Sequence, residues 1–254
     1  MLRLDRPRLE QLRSRFLPDR PGPLVGLHAI HTGLGEAWVD RWPDPRGIAV
    51  VCGDNWSLCG DPAALGTEDL TSVSGLIDAP PGFLPVLRSA HPDLLIWDRL
   101  VYALPGDPKY ARPDSAEVRR IETHDAKLLA RLSDEIDWIH VTSGGPIELA
   151  RSGLAWGTFV KGRLASVAAP FFVGERYEDM AVVTESGHRG LGLNPACAGK
   201  VCEDIRSRGR TPSWTTSPDN VPSRRVAEKL GFELVREDVL YVVGQPIPAP
   251  ARAG

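Results

Sequence analysis

Residues 177–194, YEDMAVVTESGHRGLGLN, constrain the fold more tightly than any other stretch of this 254-residue chain. Residues 177–183 are rich in β-favouring side chains and hold neither Gly nor Pro, the composition of a strand. Gly187, Gly190 and Gly192 follow within a few residues and mark a tight loop. Asn194-Pro195 then reads as a helix start. Asn is a good cap, and Pro is tolerated at the first helical position because its missing N–H would be unpaired there. The helix is expected to run to about residue 208, with Ala198, Val201, Cys202 and Ile205 along one face. Gly209 supplies the stop.

A strand that bends through glycines into a helix builds an anion site. The first-turn N–H groups have no partner inside the helix, and its dipole adds partial positive charge there. Glycines let a ligand approach the backbone closely. A phosphate or pyrophosphate is the natural occupant. Local charge agrees: residues 188–225 hold seven Lys/Arg against three Asp/Glu, inside a chain of net charge −3. Three phosphate-binding patterns compete for the stretch. A P-loop fails, because Gly199-Lys200 is followed by Val201 and lies too far from Gly192. A dinucleotide fingerprint finds Gly190 and Gly192 but meets Pro195 at its third glycine. The third pattern is Q/R-x-x-G-x-G/A. Arg189, Gly190, Leu191, Gly192 and Leu193 fit it, and Asn194 departs only in the last place.

The residues that follow decide among these. Residues 210–217, RTPSWTTS, read as a strand, and Asp219-Asn220 opens a short helix with Ser223, Val226, Ala227 and Leu230 on one face. That helix closes with Leu230-Gly231-Phe232, and residues 233–243 read as a final hairpin. The order strand, RGLG loop, helix, strand, Asn, helix ending in EKLGF, strand resembles the C-terminal half of a GNAT acetyltransferase. The wider pattern resembles the two-part GNATs related to zwittermicin A resistance acetyltransferases.

The resemblance implies an α/β (α+β) GNAT fold: a central mixed, mostly antiparallel, splayed sheet flanked by helices. It covers residues 114–243. A smaller α/β domain over residues 1–105, which could itself be a diverged GNAT-like half, precedes it. The Pro/Gly-rich segment 105–113, PGDPKYARP, sets the boundary, and the Pro/Ala-rich tail 244–254 is expected to be loose. Acetyl-CoA is the implied acyl donor, transferred directly to an amine of an acceptor. Main-chain groups of Val182, Val183 and Thr184 would pair with the pantetheine amides as an added strand does. N–H groups of Arg189, Gly190, Leu191, Gly192, Leu193 and Asn194 would hold the pyrophosphate. Asn220 would sit near the pantetheine or thioester, with Ser223 assisting.

Transfer to an amine needs a base, a stabilised thioester oxygen and a proton for the leaving thiolate. Glu178 and Asp179 are the implied base candidates. Adjacent strand residues face opposite sides, so only one points inward, and Asp179 is favoured. Many GNATs carry a Tyr acid just before the EKLGF-like ending, and this chain has Ala227 there. Tyr241, Tyr177 or water would have to supply that proton. A non-catalytic acyl-CoA-binding or regulatory module and an O-acyltransferase are the alternative readings. The acceptor, expected to be a small molecule, is not readable from these residues.

The rest of the chain bounds the problem. With 42% hydrophobic and 25% charged residues it is an ordinary globular sequence. Its charge gives no reason to expect nucleic acid or membrane as partner, and neither a membrane-length apolar run nor a signal core is visible, so the cytoplasm is expected. Cys52, Cys59, Cys197 and Cys202 lack metal spacing and read as buried thiols. His28 and His31 lie three apart with no completing ligands, so no metal is expected. Residues 1–17 read as a helix, 47–52 and 56–60 as a hairpin, and 94–104 as a strand.

Overall fold

Twelve strands form one continuous sheet in this computed structural model. It describes residues 1–111, 113 and 116–250; the expected start of the second part at residues 114 and 115 and the tail end, 251–254, lie outside the described residues. The first part runs β1 (Leu2–Arg3), α1 (Arg6–Gln11), α2 (Val25–Thr32), β2 (Glu36–Val39), β3 (Gly47–Cys52), β4 (Asn55–Gly60), α3 (Thr67–Leu70), β5 (Gly75–Asp78), α4 (Leu84–Ala90) and β6 (Leu95–Ala103). The second runs β7 (Glu117–Arg120), α5 (Ala126–Leu129), α6 (Pro146–Ser152), β8 (Trp156–Val160), β9 (Arg163–Val173), β10 (Tyr177–Thr184), α7 (Leu193–Ser207), β11 (Thr211–Thr216), α8 (Val221–Leu230) and β12 (Glu233–Val243).

The strand order is β1-β2-β3-β4-β5-β12-β6-β11-β10-β9-β8-β7. Exchanging each strand for its counterpart six places on, and reading the sheet backwards, returns the same order. The parallel pairs obey that relation too: β4 with β5, and β10 with β11. The chain therefore holds two equivalent parts, and they trade their last strands. β6 precedes the linker yet lies between β12 and β11, while β12 ends the second part and borders β5. The hairpin expected over residues 233–243 is one long strand instead. It must be unbroken to pair with β6 from Glu233 to Val242 and still reach β5 through Tyr241, Val242 and Val243.

Alternation sorts the helices onto two faces. Ala181 and Val183 of β10 pack with Leu129, Leu149 and Ala150 beneath α5 and α6. Met180 and Val182 meet Ala198, Val201, Cys202 and Ile205 of α7, the stripe expected from sequence. On the first part, α1 and α2 cover Ile48, Val50 and Cys52, and α4 covers Trp56, Leu58 and Ile77. Residues 1–17 form a short strand, α1 and a 3₁₀ turn rather than one helix, with Leu9 and Leu12 buried. α2 has no sequence signature because Val25 to Ile30 are all buried, which erases the polar stripe that periodicity needs. Among the described residues, no helix is long and apolar enough to cross a membrane.

Asp19 and His28 are among the side chains of the first part that are tied into the second. Asp19 Oδ2 accepts the backbone N–H groups of Glu175, Arg176 and Tyr177 at 2.8, 2.9 and 3.3 Å, holding the turn that opens β10. His28 is buried edge-on against Phe172. The Val173 N–H donates to its Nδ1 at 3.1 Å, and its Nε2 donates to the Thr142 carbonyl at 2.9 Å. This fixes a neutral imidazole with both nitrogens committed to main chain, and burial holds its pKa below the ordinary 6.5. The unfolded chain therefore binds that proton more tightly, so stability is complete above pH 6.5 and falls as pH drops below it. The urea midpoint should decline between pH 7 and pH 5.5, and His28→Leu should flatten that slope. His28→Ala should lose about 2–4 kcal/mol in urea titration at pH 7.5.

Candidate active site

The central strands part at a definite residue. β10 pairs with β11 only from Tyr177 to Met180, opposite Thr211 to Trp214. β10 continues along β9 to Thr184, while β11 continues along β6 to Thr216. Beyond Met180 the two strands thus have different partners, and the β11-facing edge of β10 over residues 181–184 has no strand beside it. A bulge sits at the same point: β9 skips Phe171 between Phe172, opposite Asp179, and Pro170, opposite Met180, and Pro170 has no N–H to give the ladder. Ser166 Oγ donates to the Val183 carbonyl at 2.7 Å, so that oxygen is already used on the β9 side.

The glycine loop opens at the mouth of this gap. Gly190 and Gly192 have φ of +77° and +71°, left-handed values that favour glycine. Gly192, not Asn194, is the cap residue, and α7 begins at Leu193. The start lies earlier than the Asn-Pro signal suggests because Pro195 also fits inside a first turn, where no donor is needed. Among the described residues, the N–H groups of Gly190, Leu191, Gly192, Leu193 and Asn194 find no acceptor. A Cβ added at Gly187, Gly190 or Gly192 would meet nothing within 4 Å. Arg189 lies beside the loop, with Nη2 3.1 Å from Glu135 Oε2 and Nε 3.4 Å from the Thr184 carbonyl. His188 Nδ1 and Asn194 Oδ1 are buried without partners. Five open peptide donors, a guanidinium and clear space fit a pyrophosphate. A hydrogen bond from a peptide N–H to a charged oxygen contributes about 1.5–3 kcal/mol, against up to about 1 kcal/mol for an exposed helix dipole. The loop donors therefore dominate the dipole.

The equivalent bend of the first part leaves fewer donors open. β4 turns through Asp61 into the four-residue α3. Asp61 Oδ1 accepts the Ala63 N–H at 2.9 Å and Asp69 Oδ2 accepts the Gly66 N–H at 3.0 Å. The chain's own carboxylates take the Ala63 and Gly66 donors, the Thr67 and Glu68 N–H groups find no acceptor among the described residues, and Leu65, Leu70 and Val73 are buried beneath. Among the described residues, the run of five open donors beside clear space lies in the second part.

β10 sends its adjacent carboxylates to opposite faces. Glu178 lies on the α7 side, fully buried, with Arg208 at 2.6 Å and Arg210 at 2.8 Å. It clamps the end of α7 to the sheet and is not available as a base. Asp179 lies on the other face, 5% exposed. Its Oδ1 accepts Ser213 Oγ at 2.8 Å and Thr215 Oγ1 at 3.1 Å, which leaves Oδ2 without a partner among the described residues. Burial pushes its carboxyl up to about 6, against the pull of those hydroxyls and of Arg99. Ser213 also accepts the Gly22 N–H at 3.2 Å, so a loop of the first part seats the group that holds Asp179.

Other sequence candidates fall in different places. Asn220 caps α8, its Oδ1 accepting the Ser223 N–H at 3.3 Å, and Ser223 Oγ accepts Trp214 Nε1 at 3.0 Å. Both lie just past the end of β11, on the far side of the gap from the glycine loop. Tyr241 does not reach the site: it is buried among Ile77, Phe83 and Leu87 of the first part, because β12 has crossed to β5. Tyr177 packs against the α1–α2 core. Ala227 is buried with Tyr102, Trp214 and Phe232. Glu135, Ser213, Thr215 and Arg99 were not found by sequence, since each meets the site only through non-local pairing.

With this geometry in place, known proteins can be compared. The GNAT acetyltransferase family model matches residues 112–241. An N-acetyltransferase of the mutA 5′ region of Streptomyces virginiae is 37% identical over 214 residues, covering 82% of this chain and 90% of the relative. The chain belongs to the GNAT acetyltransferases. It is an acetyltransferase enzyme of that family, and solved structures share its whole architecture. A GCN5-related N-acetyltransferase-like protein from Streptococcus suis superposes with a TM-score of 0.71 at 19% identity, covering 94% of this chain and 100% of the other. A tandem GNAT protein from the clavulanic acid biosynthesis pathway gives 0.60 at 15% identity over 97% and 98%. The two-part GNAT reading is consistent with that tandem relative.

The Glu178 clamp has a measurable consequence. Glu178→Gln strands two arginines beside a buried amide and should cost about 3 kcal/mol or more in urea titration.

Proposed function

We propose that the protein is an acetyl-CoA-dependent N-acetyltransferase that moves an acetyl group directly to an amine, with one donor site, in the second part. The observation that carries this reading is the set of unpaired N–H groups at Gly190–Asn194, opening onto the free edge of β10. The pyrophosphate would lie on those donors beside Arg189, and the pantetheine along Val182 to Thr184, with Asn220 and Ser223 on its other flank. Bound acetyl-CoA supplies the activated acyl carbon; everything else falls to the chain. Asp179 Oδ2 takes the proton of the attacking amine as the N–C bond forms and the C–S bond breaks. Because burial keeps that carboxyl near 6, it is ionised at neutral pH yet still basic enough to accept a proton. Water returns the proton to the thiolate, since Ala227 stands where many GNATs carry a Tyr. The part before residue 105 serves as scaffold, seating Asp179 through Gly22 and Ser213. The free thiols fit a reducing compartment such as the cytoplasm.

Arg189→Glu should weaken acetyl-CoA binding by about tenfold or more in a thermal-shift titration, because a repulsive charge replaces a charge-assisted contact. Unchanged affinity would remove the loop from the reading. Thiol release with an amine panel should show kcat/KM falling as pH drops through about 6. Asp179→Asn should lower kcat by about 10²–10⁴ and abolish that acidic limb.

A further inference from the structure

Arg99 lies on β6, which enters the second part's sheet from before the linker. Alternation sets it opposite Leu100 and Tyr102, which face α7 and α8, and so on the same face as Asp179. It is half-buried, and its guanidinium stacks on the Trp97 ring with 3.9 Å to the centroid. Its hydrogen bond is from Nη2 to the Thr215 carbonyl, at 3.2 Å. Its Nε is sealed from solvent with no acceptor. Thr215 touches both groups: its carbonyl takes Arg99, and its hydroxyl takes Asp179. Arg99 and Asp179 therefore flank one residue at the rim of the gap and feel each other's charge. Among the described residues, no ion pair joins them. The neighbouring arginine, Arg236, is already spent on Asp238 and the Pro21 carbonyl.

A cation and an anion held near each other, on one face, without closing into a pair, match a ligand that carries both charges. We infer that Arg99 receives a carboxylate of the acceptor while Asp179 faces its amine, so that the acceptor is an amino acid or a similar amine bearing a carboxylate. This deepens the proposed function and rests on it. The planar guanidinium offers two parallel donors to a carboxylate, and stacking on Trp97 holds its plane. An amide or a decarboxylated amine would leave those donors unpaired, which is how a polar site rejects an analogue.

The test compares the twenty standard amino acids with their amides, measuring thiol release at saturating acetyl-CoA. The wild-type protein should favour the best free acid over its own amide by about tenfold or more in kcat/KM, the range of a charged hydrogen bond. Arg99→Met should bring that ratio near one, chiefly through KM for the acid, and Arg99→Lys should keep part of it. A role confined to holding Thr215 would shift acid and amide together and leave the ratio intact. Amides turned over as well as acids, or a ratio that survives Arg99→Met, would overturn the inference. If Arg99→Met does not fold, Arg99→Lys and the wild-type ratio decide. If acetyl-CoA binds but no amine is turned over, calorimetric titration of the CoA-loaded protein with the same acids decides, and no binding overturns it. Failure of acetyl-CoA to bind at all counts instead against the donor site.

Discussion

The ladder between β6 and β12 holds the molecule together. Nine residue pairs, from Glu233 opposite Ala103 to Val242 opposite Leu95, join the last strands of the two parts. Each strand is also the outer partner of the other part's fifth strand: β6 with β11, and β12 with β5. Neither part can complete its sheet from its own residues. The exchange also shapes the site. β11 is drawn toward β6 while β10 stays with β9, so the central pair separates after Met180. A gap in a sheet is costly if its edge groups stay dry and unpaired. Here the edge lies open at the rim, where a ligand's amides can pair with it.

Symmetry of the backbone does not extend to chemistry. Both parts bend from a fourth strand into a helix beside a parallel fifth strand. In the first part, aspartates of the chain satisfy two of the donors, and leucines pack beneath them. In the second, glycines keep the space clear, and the donors stay free. A few side chains thus set how many donors each of two like bends leaves open. The other part then acts as a wall: Asp19, Gly22 and His28 all reach across to brace β9, β10 or β11.

The pair Glu178-Asp179 shows how much a one-residue step decides. Both are buried carboxylates on one strand. Two arginines neutralise the first and fix it as structure. Only hydroxyls and more distant cations face the second, and burial leaves its carboxyl near 6. Strand alternation alone turns one toward the helix α7 and the other toward Ser213 and Thr215.

Local chemistry was legible in the chain itself. The strand, glycine loop and helix around residues 177–208, the EKLGF helix and the placing of Glu178 and Asp179 on opposite faces all follow from short-range rules of period, capping and alternation. Where those rules are degenerate the reading slipped: Pro195 fits two positions of a first turn, so the helix start moved to Leu193. α2 escaped because a helix buried all round shows no stripe. Tertiary pairing decided the rest. Residues 233–243 are one strand and not a hairpin, Tyr241 is buried among residues of the first part, and Arg99 arrives beside Asp179. Hydrogen bonds between strands far apart in sequence set these outcomes, and any extended segment can offer such bonds to many partners. The amino-acid order fixes what each bend can bind; the strand exchange fixes which side chains meet there.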